Sequence, residues 1–162
     1  MTSSTSSELI KHLNLEPHLE GGYFCRTFTS SHNVNGRAAL SSIYYLLSNA
    51  SPIGHLHRNR SDILHFWQQG SPIHYTLIAP DGSMSELVMG PDLAAGQQLQ
   101  MLVPGGFWKA SELRCGEHGL ISEAVCPGFD FSDHELATAE QIQRDFPQHW
   151  PALMPLVSRQ IK

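Results

Sequence analysis

The stretch Gly54-His55-Leu56-His57 is followed, after Asp62, by an apolar run that closes at Gly70 and Pro72. Two histidines at i and i+2 point the same way only on a β-strand, so this spacing predicts two imidazoles on one face of a sheet. A β-barrel presents polar side chains to its interior in this way. The competing interpretation, a hairpin with both imidazoles in solvent, loses weight from the sequence on either side.

The chain has 162 residues, enough for one domain with a substantial core and too few for two. Charged residues make up 15% against 41% hydrophobic, and 13 Gly with 10 Pro supply many turns, a balance that suits a compact all-β fold. The formal net charge of −5 and the absence of a basic stripe argue against nucleic acid as a partner. No apolar run reaches transmembrane length, and Met1 to Ser7 lacks the charged and apolar regions of a signal peptide. The expectation is a cytoplasmic protein with neither a nucleic-acid nor a membrane partner. Cys25, Cys115 and Cys126 are odd in number and share no CxxC spacing, so buried free thiols are expected.

Along the chain, residues 1–7 read as disordered and 8–162 as one domain, with Ser7 capping a short helix over Glu8 to Leu13. Alternation of residue types predicts a strand from Tyr23 to Ser30. Further strands are expected at Ser42 to Leu47, Ile53 to His57, Leu64 to Gln68, Ile73 to Ala79, Met84 to Met89, Leu99 to Val103, Phe107 to Ser111 and Gly119 to Val125. Pro80-Asp81-Gly82 is a tight turn. Thr138-Ala-Glu-Gln141 reads as a capping box, opening a helix that Pro147 ends, and Trp150 to Ile161 is a candidate for another.

Gly54-His-Leu-His57, Gly70, Gly96 and Pro104-Gly-Gly106 resemble the two motifs of the cupin superfamily. More closely, Glu20-Gly-Gly-Tyr-Phe24 with Arg26 and Thr27, Ser42-Ile-Tyr-Tyr-Leu-Leu47, Asp62, Val103-Pro-Gly-Gly106 and Pro127-Gly-Phe-Asp-Phe131 are similar to the small cupins whose opening block reads HPEGGYFRRTY. The likeness runs from about Leu15 to Leu136. It implies a double-stranded β-helix, the cupin jelly-roll barrel of the RmlC-like class, with short terminal helices and assembly as a homodimer. Laid on without gaps, the cupin motif puts its glutamate ligand at Ile63 and its last histidine ligand at Lys109, so two of the usual metal ligands are replaced. His65 shares a strand face with Ile63 and is the substitute, giving His55, His57 and His65 as the expected metal set. With an ammonium at Lys109 beside it, a divalent transition metal is expected to be weakly held, and absence of a cofactor is the preferred expectation.

The ligand-contact candidates are His55, His57, His65, Glu20, Arg26, Tyr44, Gln100, Trp108 and Lys109. Trp67 and Trp108 offer flat apolar walls, and Glu20 with Arg26 can fix a polar ligand. Tyr44 and Tyr45 point to opposite faces of their strand, and which of them reaches the interior is open from sequence. Gln100 is placed on the opposite sheet and Lys109 in the same pocket. Three functions fit these residues: a small-molecule-binding barrel for a polar or anionic ligand such as a sugar derivative, a metal-independent isomerase or epimerase, and a metal-dependent enzyme with a degraded ligand set. The binding role ranks first.

Overall fold

A computed structural model describes residues 4–159. Helix α1 (Ser6–His12) is capped by Thr5, whose hydroxyl accepts from the Glu8 amide while the Glu8 carboxylate accepts from the Thr5 amide. The expected cap, Ser7, therefore lies inside the helix. Of the tail expected to be disordered, Ser6 and Ser7 are helical and residues 1–3 lie outside the described residues.

Thirteen strands follow: β1 (Glu16–Pro17), β2 (Tyr23–Thr29), β3 (Asn33–Val34), β4 (Arg37–Ala38), β5 (Ser41–Ser48), β6 (Ile53–Arg58), β7 (Asp62–Gly70), β8 (Ile73–Ile78), β9 (Met84–Met89), β10 (Gln100–Val103), β11 (Trp108–Glu112), β12 (His118–Cys126) and β13 (Glu135–Leu136). They form a six-stranded sheet in the order β1-β2-β5-β12-β7-β10 and a five-stranded sheet in the order β13-β6-β11-β8-β9, with β3 and β4 pairing separately. Every pairing between these strands is antiparallel. The two facing sheets make the expected all-β jelly roll. The chain then closes with α2 (Ala139–Asp145) and α3 (Trp150–Leu153).

Alternation along the strands sorts side chains into three apolar layers. Tyr45, Leu47, Tyr75, Leu77, Met101, Val103 and Ile121 fill the space between the sheets. Leu46 and Leu120, on the outer face of the six-stranded sheet, are covered by Leu9 of α1 and by Leu15. On the outer face of the other sheet, Leu56, Ile78, Trp108 and Ala110 are covered by Ile142, Phe146, Leu153 and Leu156 of the C-terminal segment.

The first C-terminal helix ends just before Pro147 as expected, whereas the second is shorter than expected. Thr138 caps α2 by accepting from the Gln141 amide, but the Gln141 side chain donates to Glu135 instead of returning to the cap. From Trp150 the α-helix runs only to Leu153 and tightens into a 3-10 turn at Met154–Leu156 that contains Pro155; Pro155 lacks the amide a continuing helix requires. The end of the expected helix, Ile161, lies outside the described residues. The cysteines also differ from expectation: Cys115 and Cys126 are exposed and Cys25 is half-buried. No helix among the described residues is long and apolar enough to cross a membrane.

Candidate functional site

One end of the space between the sheets is polar. The turn before β2 brings the first acidic group there. Gly21 and Gly22 have φ of +99° and +71°, conformations that other residues adopt only with strain. A Cβ on Gly21 would also lie 2.1 Å from the Ile53 carbonyl oxygen. This close approach seats the Glu20 carbonyl against His55, whose Nδ1 lies 2.9 Å away, and lets the Tyr45 hydroxyl donate to the Gly21 carbonyl at 2.7 Å. The Glu20 side chain is thereby turned inward and buried.

Three imidazoles surround one oxygen of that carboxylate. His57 Nε2 is 3.1 Å from Glu20 Oε2, His134 Nε2 is 3.2 Å away and His18 Nδ1 is 3.7 Å away. The rings of His57 and His134 stack with centroids 5.4 Å apart. His57 comes from β6, His134 from the loop before β13 and His18 from the loop after β1. Burial raises the Glu20 carboxyl, but the charges of His57 and His18 and the hydrogen bond from His134 outweigh it and bring the pKa to about 2. Burial takes His57 down to about 4, with Lys109 adding to the effect and Glu20 opposing it.

A second cluster ties the sheets together. Lys109 on β11 reaches across to the opposite sheet, where its Nζ lies 2.7 Å from His65 Nε2 on β7 and 3.2 Å from Glu123 Oε1 on β12. His65 Nδ1 faces the Ile63 carbonyl at 3.2 Å and so carries the proton, which leaves Nε2 to accept from the lysine. All three groups are buried. Burial raises the Glu123 carboxyl, yet Lys109 and His65 hold it well below the usual carboxylate range. Burial and the neighbouring Lys109 lower His65.

Glu20, His57, His134, His18 and Glu123 line a cavity of about 110 Å³ together with Asn59, Phe24, Ile43, Ile63, Val125, Phe129 and Phe131. Asn59 contributes an unused donor. Its Oδ1 accepts from the Ser61 amide, but its buried Nδ2 has no partner among the described residues. Exposed Arg26 sits at the rim with its guanidinium 5.8 Å from the Phe129 ring centroid.

Several expected site residues lie elsewhere. The set His55, His57 and His65 does not assemble: among the described residues the group whose ligand atoms converge is Glu20, His57 and His134. The cause is a β-bulge. Gly54 pairs with Ser111 and His57 with Lys109, so His55 and Leu56 together oppose Ala110 and the i, i+2 relation is broken. His55 turns to an outer groove beside Gly21, Ile53 and Val157. Trp108 alternates with inward Lys109, so it lies outside the barrel under the C-terminal helices, with the Arg58 guanidinium 4.5 Å above its ring. Tyr44 packs in the layer beneath α1 while Tyr45 is the interior tyrosine. Gln100 is exposed because the inward positions of β10 are Met101 and Val103. Trp67 does pack against the interior core, and its buried indole N–H has no partner among the described residues.

His18, His134 and Asn59 went unrecognised in the sequence because they lie on loops, where no periodicity assigns a direction. The one available signal was that His134 follows closely on the Pro127-Gly-Phe-Asp-Phe131 block.

Three relatives resemble the chain over most of its length. An uncharacterized protein of Saccharomyces cerevisiae, YML079W, is 40% identical over 156 residues, covering 85% of this chain and 77% of its own. A hypothetical protein from Leishmania major superposes with a TM-score of 0.90 at 31% identity, covering 96% of this chain and 100% of its own. Protein SO0799 from Shewanella oneidensis gives 0.91 at 32% identity, with 96% and 99% covered. Two antiparallel sheets closing over a polar cavity agree with the model of the Cupin superfamily (DUF985), which matches residues 7–137, and the chain belongs to that family.

Proposed function

We propose that this cupin binds a compact polar small molecule, of the size and chemistry of a sugar derivative, in the cavity between its sheets. The observation that carries the reading is the cavity's two-sided lining. Phe24, Ile43, Phe129 and Phe131 offer apolar surface to a ring or carbon skeleton, and Glu20, His57, His134 and Asn59 converge on one polar wall. The unpartnered Asn59 amide calls for a carbonyl or hydroxyl oxygen on the ligand. Glu20 accepts from a ligand hydroxyl.

Size and charge refine the ligand class. An apolar cavity of about 150 Å³ takes benzene, so this one encloses a head group of about six heavy atoms or fewer. The remainder extends past Phe131, which is 65% exposed. Two carboxylates and one ammonium leave the polar end net negative, and Lys109 is already engaged by Glu123. An acidic substituent therefore belongs at the rim, against Arg26.

A thermal-shift screen of sugars, sugar phosphates, nucleotide sugars and keto acids tests the proposal. At a hundred times its dissociation constant a true ligand stabilises the fold by about 2.7 kcal/mol. Asn59→Ala is expected to weaken that ligand about tenfold, the value of one lost hydrogen bond of roughly 1.4 kcal/mol. Binding only by apolar compounds, or indifference to Asn59→Ala, overturns the reading.

A further inference from the structure

We infer that the head group taken into the cavity is a compact organic ammonium with an oxygen on a neighbouring carbon, as in an amino alcohol or an amino sugar, an assignment that rests on the small-molecule reading above and narrows it.

The unused carboxylate atoms are the starting point. All three imidazoles around Glu20 approach Oε2, and among the described residues no group hydrogen-bonds to Oε1. Glu123 is arranged in the same way. Lys109 and His65 both meet its Oε1 at 3.2 Å, and its Oε2 has no partner among the described residues. Both residues line the cavity, and neither free oxygen is sealed inside protein. An ionised carboxylate oxygen can only accept, so each of them calls for a donor on the ligand. This holds whichever of the imidazoles carry protons.

Charge separates an ammonium from a hydroxyl. Glu123 has Lys109 as its cation, whereas among the described residues no lysine or arginine forms an ion pair with Glu20. An ammonium brings a permanent positive charge to that buried carboxylate, where water screens the attraction little. The aromatic lining adds to it. Cations are drawn to the faces of aromatic rings, and Phe24, Phe129 and Phe131 share the cavity with Glu20. The rim already shows such a pairing, with the Arg26 guanidinium 5.8 Å from the Phe129 centroid. Asn59 supplies the second half of the pattern. Its buried Nδ2 is a donor, which an ammonium cannot satisfy, so the ligand must also carry an acceptor oxygen. In a cavity that encloses about six heavy atoms or fewer, that oxygen sits close to the nitrogen.

Isosteric pairs test the assignment. Serinol is glycerol with its central hydroxyl replaced by an ammonium, and D-glucosamine makes the same exchange on D-glucose. Each compound is titrated calorimetrically into the full chain, in buffer acidic enough to keep both amines protonated. The amine of each pair is expected to bind at least about tenfold more tightly than its hydroxyl counterpart. N-acetyl-D-glucosamine, which keeps the nitrogen and loses the charge, should bind no better than glucose. Glu20→Gln should erase the preference for the amines. If that variant loses the native far-ultraviolet spectrum, Phe129→Leu takes its place and should shrink the preference about threefold or more. Equal binding within the pairs, or a preference that the folded variant leaves unchanged, overturns the inference while the cavity stands as a site for polar compounds. Failure of both amines to bind at millimolar concentration overturns it too. The broader reading falls only if the whole screen of polar compounds fails with them.

Discussion

Inside the barrel, charged and polar groups are held by one another, so each replacement acts mainly on the partner left behind. Lys109 is the clearest case. Lys109→Met leaves the Glu123 carboxylate buried without its cation, and removing one partner of a buried pair typically costs about 3–5 kcal/mol. Urea unfolding should show a loss of that order, and adding Glu123→Gln should restore part of it by removing the stranded charge. A double variant as unstable as the two single losses combined would mean that the groups do not act as a pair. The same burial sets a dependence on pH. His57 is lowered from 6.5 to about 4, so between those values the unfolded chain binds a proton that the folded chain refuses. Its contribution is fully present above pH 6.5 and is lost as pH falls through 4. Glu20, lowered from 4.5 to about 2, adds a further loss from 4.5 downwards. Stability measured by denaturant titration should therefore decline from pH 6.5 toward pH 4, and His57→Asn should flatten that slope. An unchanged slope in the variant would assign the acid sensitivity to other groups, with His65 the next to test.

At the scale of elements, strands were the most legible feature. β2 and β5 to β12 all fall where alternation and turn residues predicted them, because each has one face against an apolar layer and the period of two survives in the sequence. Trp108 and Lys109 are adjacent on one strand, so alternation keeps them from facing the same pocket. The bulge in β6 was a different matter. Nothing in Gly54-His-Leu-His57 announces that two residues oppose Ala110, because a bulge is decided by the partner strand and by the space Gly54 leaves for Ser111 and Tyr45. That one irregularity sends His55 outward while His57 stays in. The loops were the least legible. Glu20 was recognised through the Glu-Gly-Gly block, but its partner His134 lies 114 residues away in sequence, and only the closed fold makes them neighbours.

For the whole molecule we propose assembly as a homodimer. β10 is the outer strand of the six-stranded sheet, paired only with β7, and so offers an unpaired backbone edge. Beside that edge, Leu99 is 48% and Leu102 54% exposed, which is unlike the charged or proline-blocked edges of chains that remain single. A second copy related by a twofold axis can pair the two edges and cover both leucines in one self-complementary contact. Light scattering at micromolar concentration should return twice the chain mass of 18.0 kDa. Leu102→Lys should shift the mass toward the single chain, since it brings two ammonium groups to the axis. A monomeric mass at every concentration would overturn the dimer, and a persistent Leu102→Lys dimer would move the contact to another face. Salt gives an independent check. Each chain carries a formal net charge of −5, so two copies repel until ions screen them over a Debye length of about 10 Å at 0.1 M. A contact built on leucines and backbone pairing should therefore tighten as salt rises, whereas one built on ion pairs would loosen.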